Sequence, residues 1–216
     1  MRASARAALA DLLLRHPELE CAEGDMRRAF DAIRSSFASG GKLLVCGNGG
    51  SAADSQHIVG ELMKSFRIPR PVDAAFERAA REALGPERAG ALCGGIEGAL
   101  PAVSLAGEDA LMTAFANDRA SDHAFAQQVY GLGRAGDALL ALSTSGTSRN
   151  VVLAAETAKA RGMAVVSLTG APRSPLCGLS DVCVRVPESE TYKVQELHLP
   201  VYHALCAALE EEFFGC

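Results

Sequence analysis

Several features that mark other protein classes are missing from this 216-residue chain. Lysine and arginine form no block and the net charge is -5, which argues against a nucleic-acid groove built on phosphate neutralisation. No apolar stretch approaches the ~18 residues of a membrane-spanning helix. The N-terminus also lacks the uninterrupted apolar segment of a signal peptide. We therefore expect neither a nucleic-acid partner nor a membrane partner.

The seven cysteines contain no C-x-x-C pair, and their number is odd. Several of them lie inside apolar runs, such as LLVC at 43–46 and DVCV at 181–184. This pattern favours buried, reduced thiols over a disulfide framework. It predicts a protein of the reducing cytoplasm.

The order of apolar segments predicts an α/β fold. Apolar residues make up 49% and charged residues 22%, an ordinary globular mix, and the length suits a single domain spanning 1–216. Residues 1–40 read as N-terminal helices with a break at His16-Pro17. Five short apolar runs, at 42–46, 102–105, 137–143, 163–169 and 181–186, read as strands separated by helices. This alternation predicts a doubly wound, mainly parallel five-stranded sheet with flanking helices.

Two further segments carry specific expectations. The last helix, 190–213, contains Pro200, which should break or kink it. Residues 67–100 fit the alternation badly, since they hold one short amphipathic helix and then a glycine-rich stretch. We interpret them as an insertion or a flap beside the site, although an ordinary surface excursion explains them equally well.

Two predicted strand-to-helix turns have the chemistry of phosphate sites. The first is CGNGGS at 46–51, and the second is STSGTS at 143–148, which has five hydroxyl side chains in six residues. Glycines let the backbone approach a ligand, and the helix N-terminus that follows offers free N–H groups. The alternative is that Ser51 and Ser148 merely cap their helices. Neither turn matches G-x-x-x-x-G-K-[ST] or G-x-G-x-x-G, which disfavours those nucleotide folds.

Histidines and carboxylates on two predicted helices suggest acid–base or metal chemistry. His57 and Glu61 are four residues apart and share one helical face. On the last helix, Glu196 and His203 point in similar directions, whereas Gln195 and His203 diverge by about 80° at about 100° per residue. Two histidines, a carboxylate and an amide oxygen could bind a divalent ion of the zinc class. Geometry alone does not choose between Gln195 and Glu196.

Three motifs together resemble one known family. GNGGSAADSQHIVGEL at 47–62, STSGTSRNVV at 143–152 and QELHLPVYHAL at 195–205 are similar to the phosphoheptose isomerases of the sugar isomerase (SIS) domain superfamily. The resemblance covers nearly the whole chain. It implies an SIS-domain fold, a cytoplasmic homotetramer with sites at subunit contacts, and one zinc ion per subunit.

The resemblance also assigns roles to residues. It implies that Glu61 and His203 are the catalytic acid–base pair, and that the metal ligands are His57, Glu61, Gln195 and His203. The residues implied in binding the sugar phosphate are Asn48, Gly49, Gly50, Ser51, Glu61, Asn117, Asp118, Ser143, Thr144, Ser145, Ser148 and Gln195. Two departures from the family pattern, Tyr192 at a position that is often acidic and the extra length of 67–100, bear on which sugar is bound. His198 has no assigned role.

The expected reaction is the conversion of sedoheptulose 7-phosphate to D-glycero-D-manno-heptose 7-phosphate through an enediol. One alternative is a non-catalytic SIS protein resembling the tetrameric regulators that bind the replication initiator DnaA. Glu61 argues against it, because such regulators tend to lack a carboxylate at that position. The other alternative is an isomerase that acts on a different sugar phosphate.

Overall fold

The computed structural model describes residues 1–215 and leaves Cys216 outside the described part. The helices are α1 (Ala3–Arg15), α2 (Glu23–Ala38), α3 (Gly50–Met63), α4 (Ala74–Leu84), α5 (Pro86–Gly95), α6 (Asp109–Asp118), α7 (Ala124–Leu132), α8 (Arg149–Ala160), α9 (Pro175–Leu179) and α10 (Thr191–Phe214). Short 3-10 helices span Pro17–Ala22 and Ser121–His123. The strands are β1 (Leu43–Cys46), β2 (Ala102–Ser104), β3 (Ala138–Leu142), β4 (Ala164–Thr169) and β5 (Val182–Arg185).

The five strands form one parallel sheet in the order β2-β1-β3-β4-β5. The predicted fold class is therefore confirmed. In this order the chain reverses direction across the sheet between β1 and β3, which makes their carboxyl ends the switch point where ligands of such folds bind. Leu43 of β1 pairs with Ala138 of β3, so the two strands are in register and the turns after them start side by side.

Each face of the sheet is covered by helices, as strands buried on both sides require. Alternate residues of β1 show this, because Leu43 and Val45 belong to one apolar cluster and Leu44 and Cys46 to the other. Helices α1, α2, α3 and α10 supply the first cluster, and α7, α8 and α9 supply the second. The two helices that carry the predicted acid–base residues, α3 and α10, thus lie on the same face.

Two details of the sequence-based prediction are wrong. Helix α10 continues through Pro200, so the expected break is absent, and the alternative of a kink at that residue stays a prediction. The segment 67–100 also contains a second helix, α5, where a glycine-rich stretch was expected. Together α4 and α5 form a helical hairpin whose larger apolar side chains are exposed: Phe76, Leu84, Leu92 and Ile96.

A buried ion pair anchors the start of this segment to the core. The side chains of Arg70 and Glu210 are 0% exposed, with Nε and Oε1 2.8 Å apart. Arg70 also donates to the carbonyl oxygens of Glu61 and Leu62 at the end of α3. Glu210 of α10 accepts from two backbone N–H groups, at residues 66 and 67. The network therefore connects α3, α10 and the entry to the hairpin.

The ends of the hairpin segment are held close together. The N–H of Ser65 donates to Glu97 at 2.7 Å, and the N–H of Gly98 donates to the carbonyl oxygen of Arg70 at 2.7 Å. These bonds join the chain just before α4 to the chain just after α5. The hairpin thus leaves the body of the protein through a narrow neck.

The expectation of reduced thiols is wrong for one pair. Cys177 of α9 and Cys183 of β5 form a disulfide, with Cα atoms 5.2 Å apart. The free cysteines of residues 1–215 are Cys21, Cys46, Cys93 and Cys206. Burial raises the pKa of the Cys46 thiol to about 12, so that thiol stays protonated.

Within residues 1–215, no helix combines the length and apolar character needed to cross a bilayer.

Candidate functional site

The two glycine- and hydroxyl-rich turns meet at the switch point of the sheet. The first turn follows β1 and the second follows β3, which are neighbouring strands. The side-chain amides of Asn48 and Asn150 exchange two hydrogen bonds, of 2.9 and 2.8 Å. Because Asn48 is in the first turn and Asn150 follows the second, this pair fixes the turns relative to each other.

The first turn is shaped by contact with α10. Gly49 occupies the N-cap position of α3, and Gly50 opens the helix. A Cβ atom on Gly50 would lie only 2.7 Å from Nε2 of Gln195, so a side chain there would displace the glutamine. Ser51 is buried within the first turn of α3 and does not occupy the cap position. The glycines thus bring Gln195 onto the turn.

The second turn is a ring of hydroxyl groups. The Ser143 hydroxyl donates to Oγ of Ser148 at 3.1 Å and accepts from the N–H of Gly146 at 3.1 Å. The hydroxyls of Ser145 and Thr147 contact each other at 2.9 Å and are exposed. Ser148 precedes α8, yet its side chain makes no capping hydrogen bond. Simple capping therefore does not account for this turn.

The two predicted catalytic side chains, Glu61 and His203, come together with the predicted metal ligand His57 between α3 and α10. His57 Nε2 lies 3.2 Å from Oε1 of Glu61 and 3.5 Å from Nε2 of His203. The side chain of His57 is 43% exposed, whereas that of Glu61 is only 13% exposed. The second carboxylate oxygen of Glu61 is buried without a hydrogen bond, and Lys64 Nζ lies 3.7 Å from it. The carboxylate is thus poorly solvated, as a general base should be.

Burial shifts the pKa of His203 and of several groups around it. Desolvation lowers the pKa of His203, the charge of His57 lowers it further, and Glu61 opposes the change. His203 is therefore neutral at pH 7 and can accept or donate a proton. Burial also raises the pKa of Asp54 and that of Tyr202, so Tyr202 remains a neutral phenol. Desolvation lowers the pKa of the fully buried His198 to about 4, against a weaker opposing contact with the Thr169 backbone.

The predicted metal ligands fit zinc in type but only partly in arrangement. Neighbouring ligands of a tetrahedral ion with ~2.1 Å bonds are about 3.4 Å apart, close to the separations of His57 from Glu61 and His203. Across residues 1–215, however, no three His, Cys, Asp or Glu side chains are arranged to hold an ion. Gln195 precedes His203 by eight residues, about 12 Å along the helix, and packs on Gly50 instead. The structure therefore does not bring Gln195 to the cluster within one chain.

Asn117 and Asp118 stand apart from the rest of the predicted site. They end α6, are exposed, and share a hydrogen bond of 2.9 Å. Among the described residues they make no hydrogen bond to either turn or to the histidine cluster. Their predicted role in binding substrate stays a prediction.

The structure adds contacts that the motifs did not indicate. Tyr202 and Asp54 lie behind His57, and the phenol hydroxyl touches both the imidazole and the carboxylate. Two cavities of about 280 and 260 Å³ open beside His203, and Arg15 lines both. The spacing of Asp54 three residues before His57 could have placed both side chains on one helix face, since residues i and i+3 are neighbours there. Nothing in the sequence marks Arg15.

The comparisons with known proteins agree with this architecture. Two family models, both described as SIS domain, match residues 11–84 and 110–208. The chain is thus an SIS-domain protein. A phosphoheptose isomerase from Burkholderia pseudomallei is 38% identical over 190 residues, covering 88% of this chain and 83% of the relative. One from Akkermansia muciniphila is 34% identical, covering 89% of this chain and 87% of the relative.

Solved structures show the same relationship. The phosphoheptose isomerase of Neisseria gonorrhoeae superposes with a TM-score of 0.73 at 32% identity, covering 95% of this chain and 96% of that one. The Francisella tularensis enzyme gives 0.71 at 31% identity, with 87% and 86% coverage. The chain belongs to the phosphoheptose isomerase family. It is an isomerase that acts on a sugar phosphate.

Proposed function

We propose that this isomerase converts sedoheptulose 7-phosphate to D-glycero-D-manno-heptose 7-phosphate. The observation that carries the proposal is the cluster of Glu61, His57 and His203 between α3 and α10. A carboxylate and a neutral imidazole are the two groups that an aldose–ketose isomerisation needs. The relatives named phosphoheptose isomerase support the choice of a seven-carbon sugar.

In the proposed reaction the hydroxyl turn at 143–148 binds the phosphate, and the first turn and Gln195 orient the open-chain sugar. Glu61 removes a proton from C1, next to the C2 carbonyl, and an enediol(ate) forms. His203 transfers a proton from the oxygen on C1 to the oxygen on C2. Glu61 then returns its proton to C2, which leaves the carbonyl at C1. No atom is gained or lost, as an isomerisation requires.

We propose that His57, Glu61 and His203 also hold a divalent ion of the zinc class. Their donor types and pairwise separations support this, although the side chains must rotate to surround one ion. When bound, such an ion polarises the substrate carbonyl as a Lewis acid. Metal analysis of the purified protein and zinc titration by calorimetry test the proposal, and a protein that binds no zinc above background refutes it.

We further propose a cytoplasmic homotetramer. A tetramer would allow a neighbouring chain to complete a site that is open beside His203 in one chain. Light scattering of the purified protein should give four times the 22.5 kDa chain mass. A monomer with full activity contradicts this part of the proposal.

The central test is a substrate panel of five-, six- and seven-carbon sugar phosphates, each with and without a strong chelator. Turnover of sedoheptulose 7-phosphate well above the other sugars is the expected result. Preference for another sugar phosphate would keep the reaction and change the substrate. No turnover of any sugar, combined with binding to a replication initiator, would favour the non-catalytic alternative.

A further inference from the structure

The α4–α5 hairpin buries too little of its own surface to be stable by itself. Within residues 1–215, each of its two helices packs mainly on the other. The buried residue of α4 is Ala80 and that of α5 is Ala89, and alanine covers little apolar surface. Helix α5 also contains three glycines, which are weak helix formers. Since short helices take most of their stability from the packing of an apolar face, the hairpin needs another surface to pack on.

Three of the larger apolar side chains form one exposed face of the hairpin. The two buried alanines show which sides of α4 and α5 face each other. At about 100° per residue, Phe76 of α4 and Leu92 of α5 then project to the same side of the plane through the two helix axes. Ile96, just after α5, projects to that side as well, whereas Leu84 projects to the other. All four side chains are exposed, so the face of Phe76, Leu92 and Ile96 is open in one chain.

Opposite charges lie along the two outer margins of this face. Glu82 of α4 marks one margin and Arg88 of α5 the other, and both are exposed. Among the described residues neither forms an ion pair, and the salt bridge inside the hairpin joins Arg81 to Glu77. Glu82 comes three residues before Gly85, the tip of the hairpin, and Arg88 three residues after it. The two charges are therefore equally far from the tip but on opposite margins.

We propose that two copies of this chain pack these hairpin faces together, with both tips pointing the same way, about a two-fold axis that runs along the hairpin. Helix α4 of one copy then lies on α5 of the other, which gives a four-helix bundle. The axis brings Glu82 beside the partner's Arg88 and repeats the pair on the other margin, as a self-complementary interface requires. The inference rests on the proposed homotetramer and assigns one of its interfaces.

The apolar residues match in the same arrangement. Phe76 is nine residues from the tip, and Leu92 and Ile96 are seven and eleven residues from it. At ~1.5 Å per residue, these positions lie about 13, 10 and 16 Å from the tip. Phe76 of one copy therefore falls between the partner's Leu92 and the partner's Ile96. One symmetry axis thus accounts for both the exposed apolar face and the unpaired charges.

Disulfide cross-linking of the full chain tests the arrangement directly. The variant carries Glu82→Cys and Arg88→Cys in a background where Cys21, Cys93 and Cys216 are replaced by serine. After oxidation it should run on a non-reducing gel at twice the 22.5 kDa chain mass. The new bond cannot form within one chain, because the two residues lie on opposite margins of the hairpin.

The matched control pairs Arg78→Cys with Arg88→Cys in the same background. Arg78 projects from the same outer edge of α4 but is seven residues from the tip, about 6 Å away along the hairpin from the partner's Arg88. Because a disulfide needs Cβ atoms within roughly 4.5 Å of each other, the control should give at least about tenfold less dimer.

Hydrogen exchange followed by mass spectrometry gives a second readout. The amides of residues 74–95 should be protected in the native protein, because the partner's hairpin covers them. Phe76→Asp places a charge in the proposed contact and should speed their exchange at least about tenfold. Leu84→Asp is the matched control, since Leu84 is as exposed but projects to the other side, and its effect should stay within about twofold.

The outcomes are separable. Absence of the Glu82–Arg88 cross-link, or equal exchange in Phe76→Asp and Leu84→Asp, overturns the inference. Unprotected amides at 74–95 in the native protein also overturn it. If Phe76→Asp does not fold, the cysteine pairs still decide it. Light scattering distinguishes the two proposals, because a tetramer without the cross-link keeps the homotetramer and refutes this interface, whereas a cross-linked dimer does the reverse.

Discussion

Replacing Arg70 by methionine removes a buried cation whose every contact is defined. The variant keeps a side chain of similar length but leaves Glu210 as an unpaired charge at 0% exposure. It also removes the Arg70 donor from the carbonyl oxygen of Glu61 and from that of Leu62, although the latter still accepts from the N–H of Leu100. Breaking one partner of a buried pair typically costs about 3–5 kcal/mol. We expect a loss of that size in the free energy of unfolding.

Urea denaturation followed by circular dichroism measures this loss. In a thermal melt followed by the same signal, each kcal/mol lowers Tm by about 2–4 °C for a chain of this length, so Tm should fall by roughly 10 °C. Arg81→Met is the matched control, because Arg81 forms an exposed i,i+4 pair with Glu77 and should lose about 0.5 kcal/mol or less. A loss below about 1 kcal/mol for Arg70→Met would refute the reasoning. The double variant Arg70→Met/Glu210→Leu should be more stable than the sum of the single changes predicts, because no buried charge is left unpaired.

Two further predictions concern the site, and a third concerns the buried His198. Glu61→Gln should lower kcat by at least about 10²-fold without changing the oligomer, which steady-state kinetics and light scattering check; near-wild-type turnover would remove Glu61 from the mechanism. Gly50→Ala should displace Gln195 and lower kcat/KM, while Tm changes little because the contact is with the flexible end of a side chain; unaltered kinetics would show that Gln195 does not orient the substrate. The pKa of His198 is about 4 in the folded protein, against 6.5 for an ordinary histidine, so the unfolded state binds the proton first as the pH falls. The free energy of unfolding should therefore keep its full value above pH 6.5 and fall by roughly 3 kcal/mol towards pH 4. His198→Leu should lack this pH-dependent loss, and equal pH dependence in both proteins would contradict the prediction.

The sequence was informative where its signal was local. Short apolar runs located all five strands, and spacing placed His57 and Glu61 on one helix face. The helix does not break at Pro200, because packing of α10 against the sheet and α1 outweighs the lost hydrogen bond. The helix α5 was missed because its glycines obscure the helical pattern.

Contacts between distant segments could not be read in this way. The Asn48–Asn150 pair, the Arg70–Glu210 pair and the disulfide between Cys177 and Cys183 all depend on how the elements pack. The contacts of the Tyr202 hydroxyl also depend on packing, and the motif at 195–205 indicated a role only for the neighbouring residue, His203. The direction in which Gln195 faces was likewise undecided by helical periodicity, and its contact with Gly50 answers that question for a single chain.

The narrow neck below the α4–α5 hairpin has a consequence for how this chain can vary. Since residues 65 and 97 are bonded to each other, the two points where the hairpin joins the body are already neighbours. A segment with adjacent ends can be lengthened, shortened or exchanged at little entropic cost to the sheet beneath it. The hairpin is thus a part of the molecule where new surface can evolve while the arrangement of α3 and α10 is retained.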